Sequence, residues 1–353
     1  MRIGVLTSGG DAPGMNATIR TVAKVAIARG HEAIGIHNGY VGLMQGNMAP
    51  LVLSEVDGIS RLGGTILGSA RSAEFRTADG RELAREQLEL NEIDGLVVIG
   101  GNGSLAGAHA LAAVSKTRIV GIPASIDNDI GHTRTAVGVD TAVNTIVEAC
   151  DRITDTATAH RRAFIVEVMG RDNGFLALRS GLAAEADAVL ITERKLDEDT
   201  VVRQLGELLK RSFAPGRMKR RVLIIKSEGV PIPTSILVER LRDSLSSDAP
   251  GVTIRETVLG HVVRGGSPSQ ADRVIAQRLA FNAAMALESD ADDIMVAWDV
   301  VTEGVGMMTD DPRVRWIPLS DVLKETELVL QGTSSVTLDR IRLLERTEPV
   351  LAL

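Results

Sequence analysis

Two aspartates separated by one residue, Asp127 and Asp129, form the pattern in this sequence that most suggests chemistry. They follow an apolar run at 118–122, which predicts a buried strand, so both lie on the loop that leaves its end. In an extended loop, side chains two positions apart point the same way, and the two carboxylates can share one site. One could bind a divalent metal while the other accepts a proton from a substrate hydroxyl. A solvated acidic turn is the alternative, because Asp and Asn are ordinary turn residues.

Three glycine-rich turns are a second feature that could form part of a functional site, because backbone N–H groups at the start of a helix can bind phosphate. They lie at Gly9–Gly10, Gly63–Gly68 and Gly100–Gly103. Arg71 and Arg76 flank Phe75 just after the second turn and suit an anionic ligand, although a solvated, salt-bridged loop explains them equally well.

Alternating strands and helices must position these turns. Apolar runs predict strands at 2–6, 33–37, 95–99 and 118–122, and helical patterns predict helices at 15–29, 81–90 and up to residue 114. Such alternation is typical of a parallel, doubly wound sheet, whose ligand crevice lies at the carboxyl ends of the strands. We therefore expect the three turns and the aspartate loop to converge on one crevice.

A second alternating set begins near residue 139. It predicts strands at 163–168, 188–192, 222–226, 253–259 and 293–297, and helices at 141–154, 201–211, 234–245 and 273–288. Two α/β domains of similar size follow from this pattern. The last thirty or so residues contain no pattern that indicates a functional site. They predict two peripheral helices, at 325–331 and 336–346.

The composition narrows the class of protein. The 353 residues carry a net charge of -7, which argues against a general nucleic-acid binder, and aromatic residues make up only 2%. A single cysteine, Cys150, excludes an intramolecular disulfide framework. The chain has no pattern of a signal peptide or a membrane span, so we expect a cytoplasmic protein.

Six ordered motifs resemble the phosphofructokinase family. They read LTSGGDAPGMNATIR (6–20), GGTILGSAR (63–71), VVIGG-GS (97–104), IDNDI (126–130), VEVMGR (166–171) and LGHVVRGGSP (259–268). The resemblance runs from Met1 to about Asp272 and fades towards Lys324. The glycine turn alone would also suit NAD kinases and lipid kinases, but such an activity leaves VEVMGR and LGHVVRGGSP unexplained.

The resemblance implies two Rossmann-like, three-layer domains with parallel sheets and an active site in the cleft between them. The nucleotide-binding domain would comprise residues 1–138 and about 263–315. The sugar-phosphate domain would comprise 139–262 and part of the C-terminus, with an extension at about 325–353. The implied enzyme is an ATP-dependent 6-phosphofructokinase of glycolysis with Mg²⁺, and the implied assembly is a homotetramer in which neighbouring subunits share active sites.

The family roles transfer to matching positions. Asp127 resembles the general base that takes the proton from the 1-hydroxyl of fructose 6-phosphate, and Ser125 stands where the family usually has Thr. Arg71 and Arg171 resemble the charges that stabilise the transferring phosphoryl group, and Asp129 resembles the carboxylate near Mg²⁺. The implied sugar-phosphate site also includes Arg162, Met169, Gly170, Glu228, Arg255, His261 and Arg264. The implied nucleotide site includes Gly10, Tyr40, Arg71, Ser72, Arg76, Gly101, Asn102, Gly103, Ser104 and Gly107.

One departure concerns the metal site. Asn102 stands where the family usually has an acidic metal ligand, and it can supply a carbonyl oxygen but no negative charge. We expect weaker Mg²⁺ binding or a slower step. A catalytically impaired regulatory subunit that still binds sugar phosphate remains an alternative.

The sequence also leaves open the identity of the phosphoryl donor and of the allosteric effectors. Relatives that use pyrophosphate usually carry a bulkier acidic residue at the position of Gly103 and a lysine at the position of Ala124, so these small residues favour ATP over pyrophosphate. Arg20, Lys24, Asp187, Arg217 and Lys219 match positions of an allosteric site at a subunit interface. Leu53 and Thr154 replace arginines common there, which predicts weak binding of an anionic effector.

Overall fold

A computed structural model describes residues 1–246, 251–300 and 304–351. The elements up to the aspartate loop are β1 (Arg2–Ser8), α1 (Met15–Ala28), β2 (Glu32–Ile36), α2 (Gly39–Met44), β3 (Met48–Pro50), α3 (Leu53–Val56), α4 (Ala78–Leu90), β4 (Gly95–Gly100), α5 (Asn102–Ala112) and β5 (Arg118–Pro123).

The remaining elements continue the alternation. They are α6 (Val139–His160), β6 (Ala163–Val168), α7 (Phe175–Ala183), β7 (Ala188–Leu190), α8 (Glu198–Phe213), β8 (Val222–Ser227), α9 (Thr234–Leu245), β9 (Ile254–Val258), α10 (Gln270–Glu288), β10 (Ile294–Trp298), β11 (Met307–Met308), β12 (Val314–Pro318), α11 (Leu319–Gln331) and α12 (Ser335–Leu351). Among the described residues, none of the helices has the length and apolar character needed to cross a membrane.

The chain divides into two compact units. The first comprises Met1–Thr141 and Arg264–Val329, and the second comprises Ala142–Val263 and Leu330–Leu353. The boundaries expected from the sequence lie at 138 and about 263.

The first unit is built on an eight-stranded sheet in the order β11-β12-β10-β5-β4-β1-β2-β3. The central strands β10, β5, β4, β1 and β2 run parallel, and every residue of β4 is buried, as expected for a strand covered on both faces. The prediction of a parallel sheet is wrong at the edges, where β3, β11 and β12 pair antiparallel. These short strands lack the long apolar runs that identified the central ones.

The second unit contains a four-stranded, fully parallel sheet in the order β7-β8-β6-β9. Its aliphatic core joins the strands to α8 and α9 through residues such as Leu209, Ile224 and Leu241, all fully buried. The sheet has half as many strands as that of the first unit. The late strands β10 to β12 belong to the sheet of the first unit, which is why that sheet is the larger of the two.

Both helices expected near the C-terminus are present, and each makes specific contacts with its own unit. Thr326 of α11 accepts a 2.9 Å hydrogen bond from the Gly131 backbone N–H in the first unit, and Thr326 is buried. Helix α12 belongs to the second unit, where Arg340 and Glu348 contact α7 and the segment after β7. Amphipathic spacing predicted both helices, but it could not show what they pack against.

Candidate active site

The aspartate loop that follows β5 is buried. Asp127 and Asp129 expose only 5% and 8% of their surface. The alternative of a solvated acidic turn is therefore wrong. Burying two carboxylates is costly unless cations or hydrogen-bond donors compensate them, so the loop has the character of a functional site.

The loop is not extended, which corrects the reason given for expecting its carboxylates to share a site. Asn128 adopts a left-handed conformation with φ 49°, which Asn tolerates better than most residues. Its side chain donates to the Arg134 carbonyl at 3.0 Å and accepts from the Ala136 N–H at 3.0 Å. The middle residue of the motif thus anchors the loop to the segment before α6, a role that the sequence analysis did not assign.

Asp129 is held by two side chains from neighbouring strand ends. The Asn102 amide donates to Asp129 Oδ2 at 2.6 Å, and the Ser125 hydroxyl lies 3.4 Å from Oδ1. Asn102 is the first residue of α5, directly after the Gly100–Gly101 turn that ends β4. The third glycine turn and the aspartate loop therefore meet, as the sheet topology predicted.

The same cluster offers a set of oxygen ligands for a small cation. Asn102 Oδ1 is buried and has no hydrogen-bond partner in the part of the chain that the structure describes. Within the described ranges there is no group of three or more His, Cys, Asp or Glu side chains suited to a metal. Two residues with oxygen ligands fit Mg²⁺, which usually binds through one or two carboxylates together with substrate phosphates.

The first and second glycine turns line an open cavity of about 430 Å³. The Ser69 hydroxyl donates to the Gly9 carbonyl at 2.6 Å, and the Thr7 and Thr65 hydroxyls lie 2.8 Å apart, so the two turns are joined directly. Arg71 lines the cavity, and so do Gly10, Asp11 and Arg264.

Arg264 lies against Gly10 for a steric reason. A Cβ atom on Gly10 would lie 3.1 Å from Arg264 Nη1, so glycine leaves room for the guanidinium. Arg264 Nε is buried and, within the described residues, has no hydrogen-bond partner. A buried guanidinium N–H at the wall of a cavity with Arg71 is suited to bind phosphate oxygens.

Only one of the three glycine turns lies at the start of an α-helix, which corrects the expectation of three phosphate turns of one kind. Gly101 directly precedes α5, whereas residues 11–14 separate the first turn from α1. The second turn leads into a 3-10 turn at Glu74–Arg76. The helix N-terminus can therefore contribute to anion binding at the third turn alone.

Of the residues assigned to the nucleotide, Tyr40 lies against the first turns of α5. Tyr40 is buried, stacks on Phe75 with ring centroids 3.9 Å apart, and donates to the Ser104 carbonyl at 2.6 Å. A Cβ on Gly107 would lie 2.9 Å from the Tyr40 ring. Burial raises the pKa of the Tyr40 hydroxyl, because it disfavours the phenolate. Gly103, Arg71 and Arg76 are exposed, and Ser72 is half-buried.

In the second unit, the loop after β6 carries several of the predicted sugar-phosphate residues. Met169 and Gly170 are buried and Arg171 is exposed. Glu228, which follows β8, accepts from the Gly170 and Arg171 N–H groups at 3.2 and 2.8 Å. The structure thus brings together Met169, Gly170, Arg171 and Glu228.

The other predicted sugar-phosphate residues of this unit are spread more widely. Arg255 is an exposed residue of the edge strand β9, and His261 is exposed in the 3-10 turn at Gly260–Arg264. Arg162 is half-buried just before β6. Within the part of the chain that the structure describes, no hydrogen bond joins the side chains of these three residues.

The predicted regulatory positions lie in separate places. Arg20 and Lys24 of α1 line a cavity of about 1190 Å³ in the first unit. In the second unit, buried Asp187 forms ion pairs with Lys219 and with Arg221. Asp187 and Arg217 line a cavity of about 480 Å³ that also contains Arg194 and Arg211, two residues the sequence analysis missed because no motif includes them.

Comparison with known proteins agrees with the motifs. The family model described as phosphofructokinase matches residues 2–287, so α12 lies beyond the matched range. The chain is 44% identical over 296 residues to the ATP-dependent 6-phosphofructokinase of Thermotoga petrophila, which covers 84% of this chain and 89% of that protein. It is 42% identical over 334 residues to ATP-dependent 6-phosphofructokinase 2 of Bacteroides thetaiotaomicron, with 95% and 96% covered.

Solved structures show the same fold. Phosphofructokinase from Saccharomyces cerevisiae matches with a TM-score of 0.82 and 32% identity over 97% of this chain, which spans about half (48%) of the yeast chain. A pyrophosphate-dependent phosphofructokinase from Marinobacter aquaeolei matches with a TM-score of 0.74 and 18% identity, covering 91% of this chain and 84% of that one. At that identity the likeness concerns the fold alone.

Proposed function

Because the chain belongs to the phosphofructokinase family, we propose that it transfers the γ-phosphoryl group of ATP to the 1-hydroxyl of fructose 6-phosphate. The product is fructose 1,6-bisphosphate, and the reaction belongs to glycolysis. The observation that carries this proposal is the pair of buried carboxylates after β5, Asp127 and Asp129, with Asn102 at the start of α5 donating to Asp129.

Asp127 acts as the general base in this proposal. It accepts the proton of the 1-hydroxyl as the oxygen attacks the γ-phosphorus, and the bond from that phosphorus to the bridging oxygen of ADP breaks. Phosphoryl transfer depends mainly on positioning and charge neutralisation, so a base held rigidly in a buried loop is suited to the step. The anchoring of Asn128 to residues 134–136 supplies this rigidity.

Arg71 and Arg171 neutralise the charge that develops on the transferring phosphoryl group. The guanidinium presents forked donors that match phosphate oxygens. Asp129 and Asn102 would hold Mg²⁺, which supplies charge neutralisation to the nucleotide phosphates. Ser125 lies beside Asp129 and presents a hydroxyl to the same site.

In this scheme the first unit binds the nucleotide, and the second unit carries the sugar-phosphate contacts other than Arg264, which belongs to the first unit. The nucleotide contacts are those assigned from the family motifs around the start of α5, together with Arg71 and Arg76. The fructose 6-phosphate contacts are Arg162, Met169, Gly170, Arg171, Glu228, Arg255, His261 and Arg264.

We further propose a homotetramer, since Arg162 and Arg255 match residues that reach a neighbouring subunit's site in the family. We also propose a cytoplasmic location, where the substrates of glycolysis are found, and a weak allosteric site at Arg20, Lys24, Asp187, Arg217 and Lys219.

A coupled turnover assay tests the proposal. Purified protein is supplied with fructose 6-phosphate and Mg²⁺, and with either ATP or pyrophosphate as the donor. Turnover with ATP alone is the expected result. Turnover with pyrophosphate alone would contradict the inference from Gly103 and Ala124. No turnover in the native chain, with activity in an Asn102→Asp variant, would indicate a regulatory subunit whose chemistry was lost at Asn102.

A further inference from the structure

The loop between β6 and α7, residues 169–174, has a strained backbone. Arg171 adopts a left-handed conformation with φ 50°, which is unfavourable for a residue with a side chain. Gly170 has φ 143°, and a Cβ there would lie 2.3 Å from the Asn173 carbonyl oxygen. Such a conformation persists only when surrounding contacts hold it.

Two glutamates hold the loop at its start and its end. Glu228 accepts from the N–H groups of Gly170 and Arg171, and Glu193 accepts from the Gly174 N–H at 2.9 Å. Within the loop, the Asn173 N–H donates to the Gly170 carbonyl at 2.8 Å. The backbone of Arg171 is therefore fixed by contacts on both sides of it.

A third contact comes from the C-terminal helix. Arg340 of α12 donates from Nη1 to Asn173 Oδ1 at 3.0 Å, and its guanidinium lies 4.8 Å from the centre of the Phe175 ring. The same Asn173 oxygen accepts from the Phe175 N–H at 2.8 Å. Asn173 is buried, with 4% of its surface exposed, so a loss of the Arg340 donor is poorly replaced by water.

We propose that Arg340 is a positioning residue for the reaction: it holds Asn173 and Phe175, and through them the loop that presents Arg171. The inference rests on the proposed role of Arg171 in phosphoryl transfer. It assigns a function to a helix that lies beyond the residues matched by the family model. Arg340 contacts the end of the loop and acts on the chemistry only through the loop.

Amide hydrogen exchange tests the structural half of the proposal without any substrate. In Arg340→Met, the amides of residues 173–176 should exchange at least about tenfold faster, because a hydrogen bond from a charged donor is lost. The amides of β8 should keep their rates. Equal acceleration in β8, or less than a twofold change at 173–176, would overturn the proposal. Arg346→Met, which removes an exposed arginine from the same helix, is the matched control.

Steady-state kinetics test the functional half. Arg340→Met should lower kcat about tenfold and leave the KM for ATP within about twofold, since small displacements of a catalytic group cost rate rather than nucleotide binding. Arg340→Lys should recover part of the loss, because Lys also donates to Asn173 and can lie over Phe175. If Arg340→Met does not fold, the kinetics of Arg340→Lys test the proposal in its place.

A double-mutant cycle tests whether Arg340 affects turnover through Asn173 or independently of it. If Arg340 acts through Asn173, the Arg340→Met/Asn173→Ala double variant should be no slower than the worse single variant. Multiplicative losses would overturn the proposal. If the wild-type chain itself has no turnover with ATP and fructose 6-phosphate, the proposed function fails, whereas the exchange experiment still tests the Arg340 contact.

Discussion

The side-chain amide of Asn102 donates a 2.6 Å hydrogen bond to the carboxylate of Asp129. An aspartate at 102, where the family usually has an acidic residue, would place two carboxylates at about that distance. They would repel each other in the absence of a cation. Asn102 therefore orients Asp129 without help from a metal, and its own carbonyl oxygen has no protein partner among the described residues.

The first prediction concerns the dependence of stability on Mg²⁺. Asn102→Asp should lower the thermal midpoint in chelator, because the paired hydrogen bond becomes a like-charge contact. Added Mg²⁺ should then raise the midpoint of the variant more than that of the wild type, since a cation that binds only the native state stabilises it by mass action. Differential scanning fluorimetry over a Mg²⁺ series measures both effects.

Asn102→Ala is the control for this experiment. It removes the amide donor without adding a charge, so it should lower the midpoint without increasing the response to Mg²⁺. An equal response to Mg²⁺ in the wild type, Asn102→Asp and Asn102→Ala would mean that residue 102 is not a metal ligand.

The second prediction concerns the proposed base. Asp127→Asn should lower kcat about 10²–10⁴-fold, the range typical for loss of a general base, and should change the KM for fructose 6-phosphate much less. The coupled assay with ATP measures both constants. Asp155→Asn, which changes an exposed aspartate on α6, should behave as wild type. A kcat for Asp127→Asn within tenfold of wild type would exclude Asp127 as the base.

The third prediction concerns the phosphoryl donor. Gly103 is exposed in the first turn of α5, and a Cβ there would meet nothing within 4 Å. Gly103→Asp should therefore fold normally, with a small gain in the free energy of unfolding of about 0.3–1 kcal/mol from an acidic residue near a helix N-terminus. Its carboxylate should repel the ATP phosphates and raise the KM for ATP about tenfold.

Gly103→Ala separates charge from size in that experiment. The open space around the position predicts a KM for ATP close to that of the wild type. If Gly103→Asp also leaves this KM unchanged, the ATP phosphates do not lie at the third glycine turn.

The fourth prediction concerns the buried carboxylate of Asp272, which holds the start of α6. It accepts from the N–H groups of Gly138 and Thr141 at 2.9 and 2.8 Å and from the Thr141 hydroxyl at 2.5 Å. Asp272→Asn replaces one acceptor oxygen with a donor, which leaves a buried N–H or hydroxyl unsatisfied. We expect a loss of about 1–3 kcal/mol in the free energy of unfolding.

The pH dependence of this loss has a defined sign. Burial raises the pKa of Asp272 in the folded protein, and its hydrogen bonds only partly oppose the shift. Protonation of Asp272 therefore favours folding, and this contribution is complete below the ordinary Asp pKa and is lost as the pH rises through the raised pKa. Urea unfolding measures the free energy of unfolding of wild type and of Asp272→Asn. As the pH rises from the ordinary Asp pKa through the raised pKa, the difference between these two free energies should become smaller. A difference that widens with pH would contradict the prediction.

Local sequence patterns were sufficient for much of the fold. The strand β4 and the helix α9 were predicted to within one residue at each end, because a continuous apolar run and an amphipathic repeat are each set by a few neighbouring residues. The short edge strands β3 and β11 were missed, because two or three residues carry no periodic signal.

The amino-acid sequence alone was sufficient to predict the family, the alternation of the main strands and helices along the chain, and the position of Asp127 and Asp129 after β5. These depend on residue types and on spacing along the chain. The bend at Asn128, the pairing of Asn102 with Asp129, and the contact between Arg340 and Asn173, 167 positions apart, became visible only in the folded structure. Contacts between side chains that are distant in sequence depend on how the elements pack, and no local pattern of residues encodes that packing.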